Sequence, residues 1–342
     1  MSGPTHMWRE IREIPDAAAD LLRDGDKALA AAGTALAARD PRVLATVARG
    51  SSDHAASFLK YATELTAGVP VASLGPSIAS IYGARLKLAG AAAIAISQSG
   101  KSPDIVAMAE MARAAGALTI GITNTAGAPI GRHCDHEVDI LAGTERSVAA
   151  TKTFVNSALA GLAMLAHWTG SDRLAGALRA LPPELEKAVG CDWSPLVAAL
   201  QQSESLYILG RGPGMAIAQE AALKFKETSG VHAEAYSAAE VMHGPMALVK
   251  PGFPILALAV RDQSEPSMLA AIESLAARGA TVFATSDKAG REAALPVAAT
   301  GHALTDPLAL IASFYGFVES FARARGLDPD RPPNLRKVTE TL

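Results

Sequence analysis

The chain has 342 residues, of which 49% are hydrophobic and 19% charged, enough apolar material for a large core and a length that points to two domains. Its formal charge of −3 is scattered, which excludes the basic footprint of a nucleic-acid binder. Cys134 and Cys191 lack metal-ligand spacing, no apolar run approaches the ~20 residues of a membrane span, and Met1 to Arg12 has no signal-peptide core. The expectation is a cytoplasmic protein without metal, cofactor, nucleic-acid or membrane partner.

In chain order, residues 1–34 read as an N-terminal helical arm and residues 35–175 as a first lobe. Residues 176–193 read as a linker, because Pro182-Pro183 disfavours helix continuation there. Residues 194–325 form a second lobe, and a polar, Pro-rich tail follows at 326–342. Ala-rich helical runs alternate with short apolar runs at Ala91–Ile96, Leu118–Ile122, Leu206–Leu209 and Ile255–Val260. That is the rhythm of an α/β fold with a parallel sheet covered on both faces. The lobes repeat one another. Val47-Ala-Arg-Gly-Ser-Ser returns as Leu209-Gly-Arg-Gly-Pro-Gly, and Ala93-Ile-Ala-Ile returns as Ile255-Leu-Ala-Leu, both at an offset of 162 positions (209 − 47 and 255 − 93).

Ligands of open parallel sheets bind beyond the carboxyl ends of the strands. Two such places carry hydroxyls: Arg49-Gly-Ser-Ser, and Ser97-Gln-Ser-Gly-Lys-Ser before a helix starting near Pro103. A serine there is often only a helix cap. Several hydroxyls at two helix N-termini instead suit an anion. The glycine spacing is not that of a nucleotide loop, so a small-molecule monophosphate is expected. Lys101 reads equally as an added charge or a solvated lysine.

In the second lobe, Met215–Thr228 reads as a helix with Glu220, Lys224 and Glu227 at i, i+4 and i+7 on one face. Alone, that is an ordinary surface ion-pair row. The following His232-Ala-Glu-Ala-Tyr and Glu240-Val-Met-His-Gly-Pro add two histidines and two carboxylates. A histidine and a carboxylate suit ring opening and proton transfer in aldose–ketose isomerisation. His243 before Gly-Pro reads alternatively as a turn residue. Lys337 could hold an open-chain carbonyl as a Schiff base, although by position it is a solvated lysine near a frayed end.

The combination Arg-Gly-Ser-Ser (49–52), Ile-Ser-Gln-Ser-Gly-Lys-Ser (96–102), Ser-Val-Ala-Ala-Thr-Lys-Thr-Phe (147–154), Glu-Ala-Ala-Leu-Lys-Phe-Lys-Glu (220–227), His-Ala-Glu-Ala-Tyr (232–236), His-Gly-Pro (243–245) and Asn-Leu-Arg-Lys (334–337) resembles the isomerase half of glucosamine-6-phosphate synthase, a pair of sugar isomerase (SIS) domains. The resemblance implies two tandem SIS domains, each a flavodoxin-like three-layer α/β/α sandwich. By it, Ser51, Ser52, Ser97, Gln98, Ser99 and Ser102 bind the sugar phosphate, and Val148 contacts the sugar through its backbone. Glu227 is the base between C1 and C2, supported by Lys224 and Glu220. His243 assists ring opening from a neighbouring subunit, so a homodimer with sites at the interface is implied, and Lys337 is the Schiff-base lysine.

The synthase has a glutaminase domain opening on a cysteine after the initiator methionine, where this chain has Ser2. The expectation is therefore no glutamine hydrolysis and a likeness to SIS-type glucosamine-6-phosphate deaminases, which yield fructose 6-phosphate and ammonia. Lys101 replaces an acidic residue of the synthase loop, and Arg336 a small residue before the tail lysine. The alternatives are action on another sugar phosphate such as galactosamine 6-phosphate, simple isomerisation, or a non-catalytic sugar-phosphate regulator.

Overall fold

The computed structural model describes residues 3–290, 294–335 and 337; Arg336 and residues 338–342 of the tail lie outside them. Among the described residues, nine strands form two all-parallel sheets. The first contains β1 (Leu44–Val47), β2 (Val71–Ser73), β3 (Ala92–Ile96), β4 (Leu118–Thr123) and β5 (His136–Asp139) in the order β2-β1-β3-β4-β5. The second contains β6 (Ser205–Gly210), β7 (His232–Ser237), β8 (Pro254–Ala257) and β9 (Thr281–Ala284) in the order β7-β6-β8-β9. The first order is that of flavodoxin, and the second repeats its first four positions.

The chain divides into two compact units. The second-sheet unit comprises Met1–Ile14, Arg146–Thr151 and Pro183–Leu335; the first-sheet unit comprises Pro15–Glu145, Lys152–Pro182 and Arg336–Leu342. In the first-sheet unit every residue of β1 and β3 is buried, as expected of a parallel sheet covered on both faces. Ile105, Met108 and Ala109 of the Pro103–Ala114 helix pack with Val47, Ala95 and Ile130. The Lys152–Thr169 helix, buried from Lys152 to Ala166, packs against helices Asp26–Arg39 and Ser51–Thr66.

In the second-sheet unit Tyr207, Leu209, Ile255 and Ala257 meet Met268, Ile272 and Leu275 of the Glu265–Ala276 helix. The Pro213–Ser229 helix packs on β6, β7 and the Asp306–Ala324 helix, where Phe225 meets Phe314, Phe317 and Phe321 at centroid separations of 5.5, 5.8 and 5.6 Å.

The repeat extends to backbone angles. Gly50 and Gly212, again 162 apart, share φ 55° and ψ −133° as the residues preceding helices Ser51–Thr66 and Pro213–Ser229; a positive φ of this kind is open to glycine at little cost. Two details differ from the sequence expectation. Pro182 and Pro183 lie inside the first turn of helix Leu181–Val189, where the missing N–H groups have no helical partner to lose. The apolar run Ile255–Val260 is strand only to Ala257, and Leu258 to Val260 continue as buried loop.

Candidate active site

β1 and β3 are neighbours in the sheet, and between them the strand order reverses, so the loops leaving their carboxyl ends diverge and open a crevice. The serine loops are these two loops. Ser51 opens one helix directly after Gly50, and Ser102 immediately precedes the other, which starts at Pro103. The loop after β3 is pinned by Asn124 N–H donating to the Gln98 carbonyl (3.0 Å) and by Ile130 N–H donating to that of Gly100 (3.1 Å). Gly100 is required there. Its φ is +60°, and a Cβ would stand 2.4 Å from that of Ala128.

The crevice is a cavity of about 180 Å³ lined by Arg49, Ser52, Ser97, Gln98, Ser99, Ser102 and Lys337, with Ile96 and Ile105 as its apolar wall. Five of the six expected phosphate ligands thus meet at one place, together with the tail lysine. Ser51 heads its helix outside the lining. Lys101 is exposed and also outside it.

Arg49 was not among the expected ligands, although it heads the first of the two loops. Its guanidinium pairs with the buried carboxylate of Asp104, in the first turn of the Pro103–Ala114 helix. Lys337 is held likewise: its Nζ lies 2.8 Å from Oε2 of Glu145, whose side chain has no exposed surface and also accepts from the Thr153 N–H and hydroxyl. Two cations therefore face the cavity, each oriented by a buried carboxylate behind it. An arriving anion meets a guanidinium fork, an ammonium, serine hydroxyls and two helix N-termini.

In the second-sheet unit the equivalent crevice, between β6 and β8, is built differently. Pro213 and Gly214 stand where the first repeat has Ser51 and Ser52, and the loop after β8 is the buried Leu258-Ala259-Val260. The unit's buried charged groups lie farther along the helix. Lys224 Nζ lies 3.3 Å from Glu220 and 2.5 Å from Glu227. The Lys224 and Glu220 side chains have no exposed surface, that of Glu227 is 22% exposed, and the Tyr315 hydroxyl donates to Glu220 at 3.2 Å. Burial pushes the Lys224 amine down, but the two carboxylates outweigh it and hold the amine above its ordinary value. The row is thus a buried charged cluster whose open member is Glu227.

His243 ends the short 3₁₀ turn Glu240–His243 and is exposed. His232 is exposed as well, and Glu234 holds the Tyr236 phenol up at about 12 by a hydrogen bond, with burial adding to it. Val148 is half-buried in the Arg146–Thr151 loop of this unit. Among the described residues no group of three His, Cys, Asp or Glu side chains could hold a metal ion, and no helix is long and apolar enough to cross a membrane.

Comparison with known proteins gives these residues a context. The SIS domain family model matches residues 39–167 and 199–324. A curated relative, the glutamine–fructose-6-phosphate aminotransferase (isomerizing) of Aeropyrum pernix, is 36% identical across 98% of the chain. The chain spans only 57% of that relative's length. Among solved structures, a protein of Silicibacter pomeroyi provisionally assigned as a phosphosugar isomerase is 52% identical with a TM-score of 0.93, covering 96% of this chain and 100% of that one. The C-terminal domain of the Francisella tularensis glucosamine-fructose-6-phosphate aminotransferase is 25% identical with a TM-score of 0.82, covering 97% and 99%.

Proposed function

The chain belongs to the SIS domain family, and from that premise we propose that it is a deaminating isomerase that converts glucosamine 6-phosphate to fructose 6-phosphate and ammonia. The observation that carries this reading is the cavity between the serine loops. At about 180 Å³ it is smaller than the roughly 300–1,000 Å³ pockets that enclose whole small molecules. It suits one phosphoryl group, leaving the sugar outside to react.

The substrate's phosphate is held by Arg49, Ser52, Ser97, Ser99 and Ser102. The ring opens with help from His243 of a second copy, giving a C1 aldehyde beside the C2 amine. Glu227 takes the C2 proton and returns it to C1 while one proton of the amine passes to O1, so the aldehyde becomes an alcohol and C2 an imine. Water adds to the imine and ammonia leaves, producing the ketone. Glu227 suits this role because it is the one carboxylate of its cluster with exposed surface, open to a substrate. Lys337, whose amine faces the phosphate cavity, adds an ammonium beside the phosphate; the Schiff-base role expected of it requires the amine to leave Glu145 and reach the open-chain carbonyl outside the cavity.

The test is ammonia release from a panel of hexosamine 6-phosphates, with fructose 6-phosphate measured in parallel. Equimolar ammonia and ketose from glucosamine 6-phosphate is the expected result. Aldose–ketose exchange without ammonia would reduce the reading to a simple isomerase, and glutamine-dependent synthesis by this chain alone would overturn it.

A further inference from the structure

We infer that Glu10, in the N-terminal arm, is a positioning residue that holds the Arg146–Thr151 loop in the shape that presents the Val148 backbone to the sugar; this rests on the proposed function and on the Val148–sugar contact that the SIS resemblance implies. Glu10 lies on the His6–Arg12 helix and is 4% exposed. Its carboxylate is occupied by donors from two consecutive residues. It accepts from the Arg146 N–H, from the Ser147 N–H at 3.3 and 3.2 Å on its two oxygens, and from the Ser147 hydroxyl, which also lies 3.0 Å from the Ala149 carbonyl. A buried carboxylate taking two backbone N–H donors and a hydroxyl is a strong, directional restraint, and here it grips the residues immediately before Val148.

The loop's burial pattern shows what that restraint presents. Ser147, Ala149 and Thr151 have no exposed surface, whereas Val148 and Ala150 between them are partly open. The anchoring side is built into the interior, and the open side belongs to the residue assigned to the sugar.

The helix bearing Glu10 is itself fastened. Thr5 accepts from the Trp8 N–H at 2.9 Å and donates to the buried Glu319 at 2.8 Å, tying the helix start to the Asp306–Ala324 core helix. Asp330, from the segment that leads into the tail, accepts from the His6 and Met7 N–H groups at 2.6 and 2.8 Å. Glu10 is therefore set on a rigid mount, and one short helix restrains both the 146–151 loop and the approach to the tail.

The experiment uses the full chain. Glu10→Gln keeps the side chain's shape but turns an acceptor into an amide donor facing other donors. Kinetics with glucosamine 6-phosphate are measured beside the inhibition constant of inorganic phosphate, which probes the serine cavity alone, and beside Tm. The expected result is a KM raised about tenfold or more, the scale of a small misplacement of a substrate-holding group, with the phosphate constant unchanged. An unchanged KM overturns the inference, as does a parallel shift of both constants with a fallen Tm, which would mark a purely structural role. Should Glu10→Gln fail to fold, Ser147→Ala removes one of the bonds and must give a smaller KM rise of the same kind; no rise overturns the inference. Wild-type protein that turns over no hexosamine phosphate would sink the functional reading, and this inference with it.

Discussion

Lys224→Met removes one amine and keeps a stem of similar length, so it asks how much the fold depends on the buried charged cluster. In the native protein the ammonium sits between Glu220 at 3.3 Å and Glu227 at 2.5 Å, with no exposed surface on Lys224 or Glu220. Without it, Glu220 keeps the Tyr315 hydroxyl but loses its countercharge in a site that water does not reach. Breaking a buried pair by removing one partner costs about 3–5 kcal/mol, against about 0–1 kcal/mol for an exposed pair. At roughly 2–4 °C per kcal/mol for a unit of this size, Tm should fall by roughly 6–20 °C. Glu220→Gln added to Lys224→Met removes the orphaned charge and should restore more than half of the loss. The pH dependence has a definite sign. The Lys224 amine is held above its ordinary value, so its stabilisation is complete below the unfolded-state pKa near ~10.4 and is lost as pH rises through the higher folded-state value. Near neutrality the full difference remains. On acidification it should shrink, because the buried Glu220 of the variant can then take up a proton. Urea titrations followed by near-ultraviolet circular dichroism at several pH values measure these differences. A loss below ~1 kcal/mol at pH 7, the exposed-pair range, would refute the argument that the cluster is buried and coupled.

Glu227→Gln keeps the volume but not the basicity, so turnover should fall by about 10²-fold or more while sugar-phosphate affinity changes little; near-wild-type turnover would leave Glu227 a structural helix residue. Arg49→Lys keeps the charge that Asp104 needs but loses the planar fork, so the inhibition constant of inorganic phosphate should weaken with Tm unchanged. Ser99→Ala combined with Ser102→Ala should weaken the same constant at a cost of about 1.5–3 kcal/mol per lost charge-assisted bond. Constants unmoved in both variants would place the phosphate elsewhere.

What the sequence reveals follows from how far apart the interacting groups are. Ser52 and Ser97 to Ser102 are legible because each stands directly after a strand, and strand ends are read from local apolar runs. The row Glu220, Lys224 and Glu227 is legible as a row, because i, i+4 and i+7 spacing is local. Its burial is not, since the covering group Tyr315 is 95 positions from Glu220. Lys337 shows the same limit more sharply. Its neighbours Pro332, Pro333 and Asn334 describe a loose end, and only Glu145, 192 positions away, fixes the amine at the cavity. Arg49 stands in the Arg-Gly-Ser-Ser motif, yet nothing local shows that Asp104, on the helix after the adjacent strand, holds its guanidinium at the cavity. Glu10 reads as one acidic residue on a polar helix, and its partners Arg146 and Ser147 carry no local feature that points to it.

The two repeats share a backbone plan and differ in their side chains. Both repeats use the same strand order, the same Arg-Gly turn and the same glycine angles before their first helices, so the backbone of either could expose N–H groups to an anion. Side chains decide between them. The first repeat follows the turn with Ser51 and Ser52, each bearing a hydroxyl and a backbone N–H, whereas the second follows it with Pro213, which has no N–H to offer, and Gly214. Opposite that helix start, the first repeat has Ser97 to Ser102 and the second has buried Leu258 to Val260, with Val260 Cγ2 standing 3.0 Å from where a Gly214 Cβ would lie. A serine at 214 would require the Val260 side chain to shift by a few tenths of an ångström. The second repeat instead carries its buried charged row, Glu220, Lys224 and Glu227, farther along the same helix, where Lys224 and Glu220 have no exposed surface.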